Sequence, residues 1–229
     1  MQRHFVSYPK SGRTWVRYIL RQLGIDNLVV FHHDGFEFND GKRPPHDFDL
    51  VRRKQTYACI DKVIHLSRHP YDTLVSLYHQ VTGRFDDFFN YRGDLPAFIR
   101  DPYFGAEPLA RFQSMWRTLG REPNVLVITY EGLHADLRGE VGRVLDFLEL
   151  RPSPEAVASA VAGASFDQMR AVEIAGGFSD DWLRLRNDAP KVREGRMGSY
   201  RGLLSEGDLA FLDRVFAEAL LPGANSGFS

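Results

Sequence analysis

A short run of polar and basic residues near the start of the chain has the composition of an anion-binding loop. The apolar residues of His4–Tyr8 precede the loop and predict a buried strand. Apolar side chains at helical spacing follow it and stop near Gly24, which predicts a helix. The loop residues are Lys10, Ser11, Gly12, Arg13 and Thr14.

The chemistry expected of this loop is the binding of an anion. The first backbone N–H groups of a helix lack internal partners, and the helix dipole favours negative charge beside them. Gly12 lets the backbone approach a ligand closely. Ser11 and Thr14 add hydroxyl donors, and Lys10 and Arg13 add positive charge. The simplest ligand is therefore a phosphate or a group of similar shape.

The order of residues in the loop indicates which kind of phosphate group it binds. In the ATP and GTP phosphate loop the lysine follows the glycine, whereas here Lys10 precedes Gly12. The sequence YPKSGRTW, ending at Trp15, resembles the 5′-phosphosulfate loop of sulfotransferases that use 3′-phosphoadenosine 5′-phosphosulfate (PAPS). The usual form in that family is YPKSGTTW, so Arg13 departs from it, and the GRTW form resembles that of a subset of small bacterial members. The resemblance implies that the whole stretch from Lys10 to Trp15 binds the nucleotide.

A second candidate anion site follows another predicted strand, Lys62–Leu66. Arg68 lies in the loop after this strand, and Ser76 lies two turns into a helix predicted over Tyr71–Val81. An arginine and a hydroxyl in this arrangement can hold a phosphate between them. The stretch LSRHPYDTLVSLYH resembles the 3′-phosphate motif of the same family, which assigns Arg68 and Ser76 to that phosphate.

A third resemblance lies near the end of the chain. The segment REGRMGSYR resembles the family's RKGxxGDWK, which implies that Arg193 and Gly195 close over the 3′-phosphate. Glu194 replaces the family's lysine, and we hypothesise that Arg196 supplies the missing charge. The alternative is an ordinary solvated basic loop.

The adenine ring requires flat apolar surfaces for stacking. The resemblance nominates three aromatic residues for this role: Trp15, Tyr130 in TYEGL and Phe166 in ASFDQM. Ser165 is a neighbour of the third. Each of these rings could equally belong to the hydrophobic core.

Sulfuryl transfer to a hydroxyl requires charge neutralisation and a general base. Lys10 is expected to stabilise charge on the bridging oxygen of the nucleotide. A histidine, whose ordinary pKa is about 6.5, is the natural base. The candidates are His33, at the end of a predicted strand, its neighbour His32, and His46, which lies 22 residues before Arg68 as the histidine of the family's KTHxP segment does. His33 is preferred, because strand ends deliver side chains to the cleft.

Strands alternating with helices predict the fold class. Further strands are expected at Asn27–His32 and Asn124–Thr129, and residues 36–57 are expected to form an irregular loop. The pattern predicts an α/β fold of the P-loop-like, three-layer α/β/α type, with a central parallel sheet of about four or five strands. One domain is expected over residues 1–229. Both anion loops would then face the same cleft.

Composition limits the class of protein. The 229 residues carry a net charge of −1, and no nucleic-acid partner is predicted. The single cysteine, Cys59, excludes an internal disulfide and is expected to be a small core residue. The absence of a signal-peptide pattern and of a membrane-spanning run predicts a soluble, cytoplasmic protein. The oligomeric state is left open.

The resemblance therefore implies a PAPS-dependent sulfotransferase that acts on a hydroxyl of a small molecule, with an amine as the less favoured acceptor, and leaves 3′,5′-diphosphoadenosine (PAP). The resemblance implies that no metal is needed, and no residues have metal-ligand spacing. The alternatives are a small-molecule kinase with an atypical phosphate loop and a non-catalytic PAP-binding protein. Aromatic-rich residues 34–57, 82–105 and 171–190 are expected to shape the acceptor pocket.

Overall fold

The apolar runs of the sequence form the central sheet. A computed structural model describes residues 1–38, 40–175, 187 and 195–219. In that part of the chain the strands pair in parallel in the order β2-β1-β3-β4. The strands are β1 (Arg3–Ser7), β2 (Val30–His32), β3 (Lys62–Ser67) and β4 (Val125–Thr129).

Helices cover both faces of this sheet. Successive strand residues point to opposite faces, and Phe5 and Val6 of β1 accordingly belong to different buried clusters. The predicted three-layer α/β/α class is confirmed. The helices are α1 (Arg13–Gln22), α2 (Leu50–Ala58), α3 (Pro70–His79), α4 (Asp86–Phe89), α5 (Leu95–Ile99), α6 (Ala106–Leu119), α7 (Tyr130–Ala135), α8 (Leu137–Phe147), α9 (Pro154–Ala162), α10 (Phe166–Ile174) and α11 (Glu206–Ala219).

The sheet register brings the ends of the central strands together. Ser7, the last residue of β1, pairs with Leu66 of β3, and Val6 pairs with His32, the last residue of β2. The loops after these three strands therefore leave the same edge of the sheet side by side. This arrangement is what the predicted common cleft requires.

Two expectations about the segment before β3 are wrong. Residues 36–57 are not irregular throughout, because α2 begins at Leu50 with Asp49 as its side-chain cap. Cys59 is exposed at the end of this helix and is not a core residue. The basic residues Arg52, Arg53 and Lys54 near the start of α2 favoured a solvated loop over a helix. One of them, Arg53, is buried.

Other boundaries differ by a few residues. The second strand is shorter than expected because residues 26–28 form a 3₁₀ turn. Helices α7 and α8 are separated at Asp136, whose side chain caps the second. Ser153 caps α9, and Ser205 and Asp208 exchange hydrogen bonds at the start of α11. Among the described residues, no helix has both the length and the apolar character needed to cross a bilayer.

Candidate functional site

The loop after β1 has an unusual backbone. Lys10 lies in the left-handed region with φ of 69°, and Gly12 has φ of 101°. Gly12 is also the N-cap residue of α1, and no side-chain cap is found for this helix in the described part of the chain. Ser11 is buried. The first amides of α1 therefore remain available to an external anion, as the sequence predicted.

Gly12 packs directly against the ring of Tyr130, the first residue of α7. A Cβ atom at position 12 would lie 2.5 Å from Cδ2 of Tyr130, well inside contact distance. On the same ring, the guanidinium carbon of Arg68 lies 4.3 Å from the centroid. Tyr130 therefore links the two predicted anion loops, and only glycine fits between it and the first loop.

Arg68 is oriented by backbone and side-chain contacts on several elements. Its Nη1 donates a hydrogen bond of 2.9 Å to the carbonyl oxygen of Lys10. Its own carbonyl oxygen accepts a hydrogen bond of 3.0 Å from the side-chain amide of Gln113 on α6. The Nε atom of Arg68 is buried without a hydrogen-bond partner among the described residues. A buried donor of this kind is costly unless it is paired, and a bound anion would pair it.

Part of the third motif lies beside Arg68. Nη2 of Arg68 is 3.4 Å from the carbonyl oxygen of Arg196. Gly195 contacts the predicted adenine residue Phe166, because a Cβ at position 195 would lie 2.2 Å from Cδ2 of that ring. The side chain of Arg196 is exposed. Arg193 and Glu194 lie outside the described residues.

Asp72, which sequence reasoning missed, fastens this turn to the first turn of α3. Its buried carboxylate accepts hydrogen bonds from the backbone N–H groups of Gly198 and Tyr200 and from the hydroxyl of Ser199. Ser76 lies four residues further along α3, which places it on the same helix face as Asp72. The third motif and the predicted Arg68/Ser76 site are therefore adjacent.

Two of the three aromatic residues predicted for adenine, Trp15 and Tyr130, are in contact. The ring centroids of Trp15 and Tyr130 are 6.1 Å apart, and Trp15 Nε1 donates to the carbonyl oxygen of Ala164, two residues before Phe166. His134 lies 4.6 Å from Tyr130 and 5.0 Å from Trp15 by ring centroids. Burial lowers the pKa of His134. His134 lies four residues after Tyr130, and residues at this spacing are neighbours on a helix. This spacing was a signal that the sequence analysis did not use.

His33 lies against the first anion loop. Its Nδ1 is 2.7 Å from the carbonyl oxygen of Ser7, and its Nε2 is 2.7 Å from Nη2 of Arg13. Since a carbonyl can only accept, Nδ1 carries the proton and the lone pair is on Nε2. The neighbouring Asp34 does not orient this ring. Its carboxylate accepts hydrogen bonds from Arg53, Tyr57 and Trp116.

The other two candidate bases, His32 and His46, make different contacts from those of His33. His32 is bonded through both ring nitrogens, to the ring of His4 and to the backbone N–H of Asp34, and burial lowers its pKa to about 4. His46 is stacked on Phe36 and on Tyr103, whose carbonyl oxygen lies 2.9 Å from its Nε2. His33, in contrast, has a ring nitrogen 2.7 Å from the guanidinium of Arg13, at the end of the loop after β1.

An open cavity of about 520 Å³ lies near His46. It is lined by residues of two of the three segments expected to shape the acceptor pocket, and by Arg111 of α6. Several aromatic residues of those segments are core instead: Phe36, Phe38, Tyr57, Phe89 and Phe104 are buried. The lining residues are His46, Asp47, Phe48, Asp49, Pro102, Tyr103 and Arg111.

Fold and site together define a parallel α/β protein in which the two predicted anion loops are in contact at the carboxyl edge of the sheet. The sequence model of the sulfotransferase domain family matches residues 54–221. The chain therefore belongs to the sulfotransferase family. The match covers the Arg68 loop and begins after the Lys10 loop. This membership argues against the kinase alternative.

Curated relatives extend the similarity. Human sulfotransferase 2B1 is 29% identical over 190 residues, covering 72% of this chain and 51% of that protein. Rabbit amine sulfotransferase is 22% identical over 242 residues, covering 94% of this chain and 79% of that protein. The chain thus spans about half the length of the first of these relatives.

Solved structures share the fold. Mouse sulfotransferase SULT7A1, crystallised in complex with PAP, superposes with a TM-score of 0.70 at 19% identity, over 96% of this chain and 83% of that chain. Retinol dehydratase in complex with androsterone and PAP has a TM-score of 0.64 at 16% identity, over 96% and 80% of the two chains.

Proposed function

We propose that this protein is a PAPS-dependent sulfotransferase that transfers a sulfuryl group to a hydroxyl of a small-molecule acceptor. The observation that carries the proposal is the contact between its two anion loops, made by Arg68 Nη1 and the carbonyl oxygen of Lys10. Two anion sites in contact suit a ligand with two anionic groups. Family membership and a neighbour whose structure contains PAP support the same ligand.

The loop after β1 would hold the 5′ end of the nucleotide. The uncapped amides at the start of α1, with Ser11, Thr14 and the ammonium of Lys10, provide donors and charge for it. The close packing of Gly12 on Tyr130 brings this anion site beside the ring proposed for adenine.

The 3′-phosphate would lie between Arg68 and Ser76, under the turn that contains Gly195 and Arg196. The buried Nε of Arg68, which lacks a partner in the described part of the chain, suits an additional acceptor. Trp15, Tyr130 and Phe166 would provide the apolar surfaces for adenine, and His134 is added to this group because its ring contacts two of them. Arg193 remains a sequence-based prediction for the same phosphate.

The donor supplies an activated sulfuryl group, whose S–O bond to the 5′-phosphate breaks as a bond forms to the acceptor oxygen. Lys10 neutralises the charge that develops at the departing end. His33 accepts the acceptor proton at Nε2, because its Nδ1–H is held by the carbonyl oxygen of Ser7. Independence from metal and a cytoplasmic location remain predictions, as does the identity of the acceptor.

The test is transfer of ³⁵S from labelled PAPS to a panel of phenols, sterols, sugars and glycopeptides. The wild type is expected to label an acceptor, and Lys10→Ala and His33→Ala are expected to lose about 100-fold or more of kcat/KM. His46→Ala is the matched control and should retain more activity than His33→Ala. Activity that survives both Lys10→Ala and His33→Ala would overturn the roles assigned here, and PAP binding without any transfer would favour the non-catalytic alternative.

A further inference from the structure

The hydrogen bond between Arg13 and His33 involves the nitrogen that must accept a proton. Arg13 is the first residue of α1, and its Nη2 lies 2.7 Å from His33 Nε2. Because the carbonyl oxygen of Ser7 fixes the proton on Nδ1, the lone pair of Nε2 is the acceptor of this bond. In this arrangement the proposed base is engaged by Arg13 and not open to an acceptor hydroxyl.

The guanidinium of Arg13 is incompletely paired in this position. Its Nη1 is buried without a hydrogen-bond partner among the residues that the structure describes. Burial lowers the pKa of Arg13 to about 10, although Glu37 acts in the opposite direction. An anion at the start of α1 would be a stronger partner than a neutral imidazole, because it adds a charge–charge attraction and because a guanidinium can bond a phosphate through two parallel N–H groups.

We infer that Arg13 exchanges partners when the nucleotide binds: it leaves His33 Nε2 for the anion and thereby frees the base for the acceptor. This inference rests on the proposed function. The movement of Arg13 makes His33 available as a base only after the nucleotide is bound. The nucleotide must therefore bind before a productive complex with the acceptor forms. The usual loop of the family has threonine at this position, and its side chain is much shorter than that of arginine. The exchange of partners is therefore expected only in chains that have arginine here.

Other titratable groups face the same pair. Glu37 Oε1 accepts a hydrogen bond of 2.9 Å from the backbone N–H of His33. Arg17 lies one turn further along α1, and its charge acts on Arg13. The positive charge of Arg13 also acts on the ring of His32. A test must therefore separate the direct Arg13–His33 bond from the general effect of these charges.

The experiment is a pH titration of histidine side chains by NMR with ¹⁵N-labelled histidine, with His33 assigned through His33→Gln. It is carried out on the wild type, Arg13→Met and Arg17→Met, each with and without saturating PAP. Without PAP, Arg13→Met should raise the pKa of His33 by about one unit, because a cation beside the ring disfavours its protonated form. Arg17→Met removes a nearby charge without the bond and should change it much less.

With PAP, the difference between the wild type and Arg13→Met should fall to about a third of its value or less, because Arg13 then faces the anion in the wild type. Arg13→Gln serves as a second variant if Arg13→Met does not fold. No difference without PAP, or an equal difference with PAP bound, would overturn the inference alone. Failure of PAP to shift any histidine resonance saturably would overturn the proposed function and this inference with it.

Discussion

Arg68 donates a hydrogen bond from Nη1 to the carbonyl oxygen of Lys10 at 2.9 Å, which joins the loops after two neighbouring strands. The strands are adjacent in the sheet, and Ser7, the last residue of β1, pairs with Leu66, the residue before the last of β3. The same guanidinium lies over Tyr130, the ring against which Gly12 packs. The two proposed phosphate sites are therefore parts of one contiguous surface, and a change in either loop should affect the other.

Because Gly12 packs closely against Tyr130, adding a methyl group at position 12 should destabilise the folded protein. Gly12→Ala should lower the free energy of unfolding by more than Gly24→Ala, measured by urea denaturation. Both glycines have positive φ, but a Cβ at Gly24 would meet nothing within 4 Å. The backbone strain is about 1 kcal/mol at Gly24 and larger at Gly12, whose φ of 101° lies outside the left-handed α region, so the excess in Gly12→Ala reports the clash with the ring together with this added strain. Equal losses in the two variants would contradict the packing described here.

The carboxylate of Asp72 predicts that the turn at residues 198–200 depends on it. Asp72→Asn should weaken three hydrogen bonds and lower the free energy of unfolding by about 1–3 kcal/mol. It should also increase the amide hydrogen exchange rates of Gly198 and Tyr200 and weaken PAP binding. Asp167→Asn changes an exposed carboxylate in the first turn of α10 and is the matched control. Unchanged exchange at both amides would refute this role for Asp72.

The buried His65 predicts that stability falls in mild acid. Burial lowers its pKa to about 3 in the folded protein, against about 6.5 when unfolded. The unfolded state therefore binds more protons below pH 6.5, so stability is complete above that pH and is lost as the pH falls toward 3. His65 alone should make the free energy of unfolding about 2 kcal/mol lower at pH 5 than at pH 7.5.

The measurement for His65 is urea denaturation at several pH values. His65→Gln should remove most of this contribution from the pH dependence, whatever its effect on absolute stability. A contribution of the same sign, and of nearly the same size between pH 5 and pH 7.5, comes from His32, whose folded pKa is about 4, and it should persist in the variant. His69→Gln, at an exposed histidine, is the control. An unaltered pH dependence in His65→Gln would contradict the assignment.

Local features of the fold and site could be predicted from the sequence. The strand, loop and helix around Gly12 were readable because glycine, hydroxyls and apolar periodicity are signals within a few residues. The position of His33 beside the loop followed from the placement of strand ends in a parallel sheet. That the loops of Lys10 and Arg68 lie at the same edge of the sheet followed from the same rule, whereas the hydrogen bond between them was not predicted.

Features that depend on distant partners could not be predicted. Arg53 belongs to a basic cluster that indicates a solvated loop, yet it is buried because Asp34 lies 2.7 Å away. Asp72 has no local signal of its role, since its partners lie more than 120 residues further along the chain. The bond between Arg13 and His33 likewise joins residues 20 positions apart.

The most direct test of the central claim compares the binding of PAP and of adenosine 5′-monophosphate, which lacks the 3′-phosphate, by isothermal titration calorimetry. We expect PAP to bind the wild type roughly 10- to 100-fold more tightly, from charge-assisted hydrogen bonds to one phosphate. Arg68→Lys should reduce this ratio by about tenfold, whereas Lys10→Met should weaken both ligands and preserve the ratio. A ratio unaffected by Arg68→Lys would contradict the claim that the two loops hold the two ends of one nucleotide.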